Sequence, residues 1–301
     1  MKKELKEKFP KWYQNMKNKV LILTNDLDSY FSCLVLRYLF GCEIAYFYDF
    51  SALYYNRKHE RNNIVGVDLA IEECFQTFCN HIVKIHKDDK VNPLSININI
   101  AENIHRGKFI RYNGKFNEFD GNYLSKYAGS TLLMILSLYD AFKELHLAGH
   151  TELTETQKKI LMSPDSYFLG YYLPSHWESN IAFKKFQQLL GLEMFNDVLR
   201  LHTKQQLTSF QYINKLKKSI YVVDNDGQYK LNTELNLEFL KEHFPMLEWD
   251  YINNITFSKK YEFQQMPKQN ILHLESKHDI ECRVFSFAVT GQQEAQMTIY
   301  R

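Results

Sequence analysis

Asp26-Leu27-Asp28 places two carboxylates one residue apart on the turn after Val20-Leu21-Ile22-Leu23, an apolar run of the kind that forms a strand buried on both faces. In open α/β sheets the working crevice lies beyond the carboxyl ends of the strands, so these acids are expected to emerge there. Asp68 has the same placement after Ile64-Val65-Gly66-Val67. Carboxylates crowded at neighbouring strand tips repel one another unless a cation, a lysine or an arginine neutralises them. Oxygen donors of this type select hard divalent cations. The same residues also allow a plainer arrangement, in which Asp26 caps the following helix and Asp68 is a loop acid.

For these side chains to meet, several strands must deliver them to one sheet edge. The run at 20–23 leads through the acidic turn into a helical stretch at 30–40, and strands are expected at 43–48, 63–68 and 81–85. Strand, loop, helix and strand recurring with short connections predict an α/β fold, a parallel sheet flanked by helices. Ahead of it, residues 2–17 carry Leu5, Phe9, Trp12 and Tyr13 at helical spacing among lysines and read as one amphipathic helix. An apolar helix is expected over 124–147, followed by helices at 154–162, 180–190 and 193–206. The texture changes near residue 215. Residues 219–223, the turn Asp224-Asn225-Asp226-Gly227 and residues 228–231 predict a hairpin. Strand-like segments recur at 255–263, 271–275, 283–290 and 296–300, with one helix around 236–243. The expected organisation is an α/β domain over residues 1–205 and a smaller α+β domain over 206–301 that handles substrate or partner.

Composition narrows the class without naming a function. The 301 residues are 45% hydrophobic and 24% charged, with 11 glycines and 6 prolines, which excludes collagen-like and linker-rich chains. With 37 basic against 35 acidic residues, a whole-protein basic field is excluded, though a local basic cleft is not. No apolar run approaches the about 18 residues of a membrane helix, so no membrane partner is expected. The first 19 residues are polar and lysine-rich, without the apolar stretch of a secretory signal. Five scattered cysteines without Cys-x-x-Cys spacing read as reduced thiols, and a cytoplasmic location is expected.

Asn25-Asp26-Leu27-Asp28-Ser29 with its following helix resembles the first motif of the DHH phosphoesterase superfamily, which includes RecJ-type exonucleases, nano-RNases, cyclic-dinucleotide phosphodiesterases and family II inorganic pyrophosphatases. Asp68 is similar to the single Asp of the second motif, Cys79-Asn80-His81 falls where the third, Asp-His-His, is expected, and Ser163-Pro164-Asp165-Ser166 resembles the fourth. The resemblance covers about residues 18–170 and rests on the order and spacing of the motifs. It implies that Asp26, Asp28, Asp68 and Asp165 bind metal, Mn²⁺ or Mg²⁺, that Asp68 bridges two ions, and that His81 touches the phosphoryl group. In that scheme Asp68 and His81 are the catalytic residues, and a metal-bound water attacks phosphorus.

Departures from the pattern imply a rival outcome. The ligand His that normally precedes the first Asp is replaced within Ile22-Leu23-Thr24-Asn25, and the third motif reads Cys79 and Asn80 where the family has Asp and His. A neutral amide coordinates divalent cations more weakly than imidazole or carboxylate. The two expectations are therefore a slow phosphoesterase acting on short oligonucleotides or small nucleotides, and a decayed descendant without metal that binds nucleotide or assembles with itself or a protein partner.

Substrate phosphates need positive charge, and His105-Arg106-Gly107-Lys108 with Arg111 and Lys115 is the densest basic cluster near the expected sheet edge. Arg106 and Arg111 could grip phosphate bidentately, or could be solvated charges on a hairpin around Tyr112-Asn113-Gly114-Lys115. Lys126 opens the stretch Tyr127-Ala128-Gly129-Ser130-Thr131, where free N–H groups at a helix start could bind an anion, with Gly129 alternatively packed closely on a strand. The family's Gly-Gly-Gly-His loop is missing from the C-terminal part, where Phe285 to Gln292 reads as a strand and turn. Cys74, Cys79 and His81 do not complete a zinc tetrahedron. His146 and His150 flank a probable helix end at Gly149 and read as structural, and Asp224-Asn225-Asp226-Gly227 lacks the terminal Glu of a calcium loop. The Tyr- and Phe-rich stretch from Tyr46 to Tyr55 could stack bases, and more often such residues are core.

Overall fold

Pro10 has no N–H to donate and disfavours helix in the residue before it. The expected N-terminal helix is therefore only α1 (Lys3–Lys6), and the chain resumes as a 3₁₀ turn at Lys11–Gln14. The computed structural model describes residues 1–112, 116–172, 177–266 and 268–301. Among these, the first half continues through β1 (Val20–Leu23), α2 (Leu27–Phe40), β2 (Glu43–Tyr48), β3 (Ala52–Tyr55), β4 (Ile64–Val67), β5 (Thr77–Phe78), β6 (Ser95–Ile96), α3 (Ile98–Ala101), β7 (Phe109–Tyr112), β8 (Phe116–Phe119) and α4 (Thr131–Tyr139). The helices α5 (Glu155–Leu161), α6 (Trp177–Leu190), α7 (Asn196–Leu201) and α8 (Lys204–Ile213) follow. The chain then forms β9 (Ile220–Asn225), β10 (Gln228–Thr233), α9 (Leu237–His243), β11 (Thr256–Phe257), β12 (Lys259–Gln265), β13 (Gln269–Asn270), β14 (Val284–Gly291) and β15 (Glu294–Tyr300).

The main sheet runs β13-β15-β12-β3-β2-β1-β4-β5-β6, with β14 on β15, so it takes strands from both sides of residue 205. From β2 to β6 the neighbours are parallel, as expected for buried β1 and β4. The other half, from β2 through β3 and β12 to β15, is antiparallel. The fold is thus α/β with a mixed sheet flanked by helices, plus small antiparallel sheets β11-β10-β9 and β7-β8. The switch to antiparallel comes at an Asx turn. Asp49 Oδ1 accepts from the N–H groups of Ser51 at 2.9 Å and Ala52 at 2.7 Å, folding β3 back onto β2.

Other element ends have equally local causes. The strand expected at 81–85 is β5 instead. Beyond Cys79 the backbone carbonyls are taken by side chains, Asn99 Nδ2 donating to Asn80 O at 2.6 Å and Asn97 Nδ2 to His81 O at 2.7 Å. The expected 124–147 helix starts at the Ser130 cap, whose hydroxyl accepts from Leu133 N–H, and stops at Asp140 in the left-handed conformation. The helix expected over 193–206 breaks at His202, and a Thr203–Gln206 capping box starts α8. Residues 271–275 form no strand, and Asn113–Lys115 of the expected basic hairpin lie outside the described residues. Among the described residues no helix is long and apolar enough to cross a membrane.

Candidate functional site

The carboxyl ends of β1 and β4 are tied together by Ser29, whose hydroxyl donates to Val67 O and accepts from Thr24 N–H, both at 2.8 Å. This link aims the turn after β1 at the residue after β4. Asp26 is the N-cap of α2, with Oδ1 accepting from Ser29 N–H at 3.1 Å. Asp68 leaves β4 with φ +57°, in the left-handed region where Asp is among the few tolerated side chains. Its N–H donates to Phe78 O at 2.9 Å, which sets it beside the end of β5.

Asp28 is 2% exposed, and both of its oxygens are engaged. Thr131 N–H donates to Oδ2 and Leu132 N–H to Oδ1, each at 2.8 Å. The anion expected at the start of α4 is therefore this carboxylate, held by orphan N–H groups and the positive end of the helix. The Thr131 hydroxyl reaches further and donates to Asp68 Oδ1 at 2.7 Å. Thr131 thus couples two acids, a role that its place after a cap did not signal.

Asp165 sits at φ +51° on the turn after α5, exposed at the surface, and Asn80 Nδ2 hydrogen-bonds to its Oδ2. Asn80 Nδ2 also donates to Gly129 O at 2.7 Å, while its Oδ1 is buried without a partner among the described residues. Gly129 itself is pressed against the Tyr127 ring, which a Cβ would meet at 2.5 Å, and not against a strand. His81 Nδ1 lies 3.4 Å from Cys79 Sγ and 3.9 Å from Asp68 Oδ1.

These groups lie close enough to shift one another's ionisation. Burial raises the Asp26 carboxyl above its ordinary range, and Asp165 raises it further. Burial pushes Asp28 well up, reinforced by Asp68, Asp165 and Asp26, and pushes Asp68 well up, reinforced by Asp26 and Asp165. Burial alone would make His81 a weaker base, yet Cys79, Asp165 and Asp26 outweigh it and lift the imidazole to about 9. Acids from three separate segments and His81 from a fourth are therefore near enough to act on one another.

Asp26, Asp68 and His81 line a cavity of about 440 Å³ whose far wall comes from the end of the chain, through Gln265, Ser286 and Gln296. Asp49 adds another acid, and none of the lining residues is Lys or Arg. Two of the acids keep an oxygen free: among the described residues no hydrogen bond reaches Asp26 Oδ2 or Asp68 Oδ2. As the side chains stand, however, no group of three or more His, Cys, Asp or Glu among the described residues could hold a metal ion. Asp49, Gln265, Ser286 and Gln296 were not anticipated, because nothing in their local sequence marks them.

The expected phosphate-binding cations lie elsewhere. Arg106 is fully buried, and its guanidinium donates to the carbonyls of Ile271 and Leu274, so it clamps the C-terminal segment and does not face the cavity. Arg111 is exposed on β7, its guanidinium carbon 5.6 Å from the Phe109 ring centre. Lys126 Nζ donates to Tyr123 Oη at 2.9 Å and lines a separate, mostly aromatic cavity of about 280 Å³.

No protein-family model matches this chain, and no solved structure matches it. Among curated proteins it is similar to the isoleucine–tRNA ligase of Mycoplasmoides gallisepticum, 22% identical over 196 residues, which covers 60% of this chain and 22% of that enzyme. The chain thus spans about a fifth of the length of the curated relative it matches.

Proposed function

We propose that the acidic cavity hydrolyses phosphoesters of short oligonucleotides or small nucleotides with the help of one divalent cation, in the manner of a divergent DHH-type phosphoesterase. The observation that carries this reading is that Asp26, Asp68 and His81 line one cavity beyond the ends of β1, β4 and β5, with Asp28 linked to Asp68 through Thr131. A cavity walled by acids and free of lysine and arginine repels an anionic substrate unless a cation intervenes.

The donors fit one ion better than two. Asp28 spends both oxygens on α4, and Asp165, with one oxygen held by the Asn80 amide, does not line the cavity. What remains toward the cavity is the free oxygen of Asp26 and of Asp68, with space for water; these oxygens would hold Mn²⁺ or Mg²⁺ only once the side chains move from where they stand. A cation there would polarise a phosphoryl oxygen and lower the pKa of a bound water. His81, which keeps its proton at neutral pH, would face the phosphoryl oxygens and donate to the leaving oxygen. Ser29 and Thr131 hold Asp26 and Asp68 in place without touching substrate.

Purified protein incubated with Mn²⁺ and dinucleotides tests this. Turnover lost in Asp68→Asn and in Asp26→Asn supports it, and turnover unchanged in both removes these acids from the reaction. The second reading, a decayed fold that binds or assembles, is favoured by the same Asn80–Asp165 bond, since the amide N–H occupies an oxygen that the family resemblance assigns to metal. Calorimetric titration showing no Mn²⁺ or Mg²⁺ uptake would decide for it.

A further inference from the structure

An anionic strand approaching this cavity needs cations at its rim, and the lining supplies none. One source is the segment joining α8 to β9, whose Lys217 acts on Asp26. Ile220 N–H donates to Asn25 O at 2.8 Å, which stitches the start of β9 to the residue before Asp26. Immediately before that stitch stand Lys215, Lys217 and Lys218, all exposed. Leu216 between them is 1% exposed, so it anchors the segment while the lysines on either side are left in solvent. Lys215 is held at φ +53°, with its N–H donating to Tyr212 O at 3.1 Å, a closed helix end.

Charge at the C-terminal end of α8 accounts for a lysine or two, since cations there complement the helix dipole. It does not account for the pairing pattern. Lys218 pairs with Glu234 at 2.9 Å, but among the described residues Lys217 has no ion pair and lies close enough to Asp26 to favour its charged form. Exposed rings bracket the lysines. Tyr212 is 68% exposed and Tyr221 40% exposed, large values for aromatics in a chain that buries most of its rings. Cations interleaved with exposed rings are the pattern that binds single strands, backbone on the lysines and bases on the rings.

We propose that residues 212–221 form the entry track for a short single-stranded oligonucleotide, with Lys215, Lys217 and Lys218 on its phosphates and Tyr212 and Tyr221 stacking its bases, delivering one end past Asn25 into the acidic cavity. This rests on the hydrolytic reading only for what happens to the delivered end. Binding to the track is a separate quantity and needs no divalent cation.

The test uses the full chain in chelator, with a fluorescein-labelled oligouridine and an oligothymidine of about eight nucleotides, read by anisotropy across a salt series. Wild type is expected to bind saturably with a log–log salt slope near about −2, the value for three single-strand phosphate contacts. Replacing Lys215, Lys217 and Lys218 together with alanine should weaken binding about ten-fold or more at about 0.1 M salt and flatten the slope. Tyr212→Ala with Tyr221→Ala should weaken it about five-fold or more and leave the slope unchanged. Lys3→Ala, an exposed lysine outside residues 212–221, should bind as wild type does. These substitutions are on the surface, and an unchanged urea midpoint confirms folding. Absent binding by wild type, or unaltered binding by the triple-lysine variant, overturns the track and leaves the hydrolytic reading standing on its own assay. Normal track binding without turnover in Mn²⁺ does the reverse.

Discussion

The sharpest consequence of the site is that two acids one residue apart respond oppositely to the same substitution. Asp28 accepts two N–H bonds from the start of α4 while 2% exposed. In Asp28→Asn the amide oxygen keeps one of these bonds at neutral strength, and the NH₂ group faces the other N–H, which is left without an acceptor. Losing a charge-assisted bond costs about 1.5–3 kcal/mol, and an orphaned buried donor about 1–3 kcal/mol. Against this stands the relief of a carboxylate that burial, Asp68, Asp165 and Asp26 all press toward its protonated form. The loss is larger, because the helix end was built around the anion, and the net cost is about 1–3 kcal/mol. Asp26→Asn is different. Asn caps a helix as well as Asp does, so the bond to Ser29 N–H survives while one of the crowded charges disappears. It should stabilise the cation-free protein, by about 1 kcal/mol.

Urea unfolding in chelator, followed by the fluorescence of buried Trp249, measures both. The midpoint should fall for Asp28→Asn and rise for Asp26→Asn. Adding Mn²⁺ should then raise the wild-type midpoint and leave that of Asp26→Asn unmoved, since only a native state that binds the ion gains from it. A rise for Asp28→Asn refutes the reasoning: the α4 bonds would then be weaker than the repulsion, and Asp28 would be a strained ligand and not an anchor.

Three further outcomes follow from named contacts. Arg106→Met should cost about 2–4 kcal/mol by stranding the carbonyls of Ile271 and Leu274, with hydrogen exchange rising first around residues 271–274. Gly66→Ala should cost about 1–3 kcal/mol in thermal unfolding, because the new Cβ would lie 2.8 Å from Thr77 Oγ1 at the β4–β5 contact. For Glu102, burial opposes ionisation but hydrogen bonds from Lys185 and Lys8 prevail and hold its carboxyl below the ordinary range. A lowered carboxyl contributes stability above its unfolded pKa and loses it as pH falls through the folded value. Glu102→Gln should therefore lower the urea midpoint by a small amount at pH 7, worth about 0.5 kcal/mol, with the gap closing toward pH 3.

The parallel half of the sheet was legible because β1 and β4 are uninterrupted apolar runs and each ends in an acid, so hydropathy and chemistry pointed the same way. The antiparallel half was not. β3 depends on the Asp49 side chain closing a turn on Ser51 and Ala52, and the strand-like segments at 255–263 and 296–300 gave no sign that β12 and β15 would join the same sheet through β3. Within the site, the resemblance grouped four acids and a histidine that the fold does bring together, but it could not tell which oxygens are spent. That depends on Thr131 and Asn80, whose partners are 63 and 85 positions away in sequence. Arg106 misled because a basic cluster looks the same on paper whether its guanidinium meets solvent or two backbone carbonyls.

The far wall of the cavity also limits what can react in it. β14 is bonded to the two loops that carry Asp68 and His81: Phe287 N–H donates to Ala70 O at 3.1 Å, Glu72 N–H to Phe285 O at 3.0 Å, and Val289 N–H to Ile82 O at 2.8 Å. These bonds join the C-terminal strand to the backbone just after Asp68 and just after His81. A hinge that opened the cavity by swinging this wall away would break all of them and expose Phe287, which is 1% exposed, at a cost of several kcal/mol by about 1 kcal/mol per bond and about 2 kcal/mol for the ring. The wall therefore moves with the acids, and the cavity keeps a fixed width. Under the hydrolytic proposal, a space of about 440 Å³ suits the terminal unit of a strand better than a duplex.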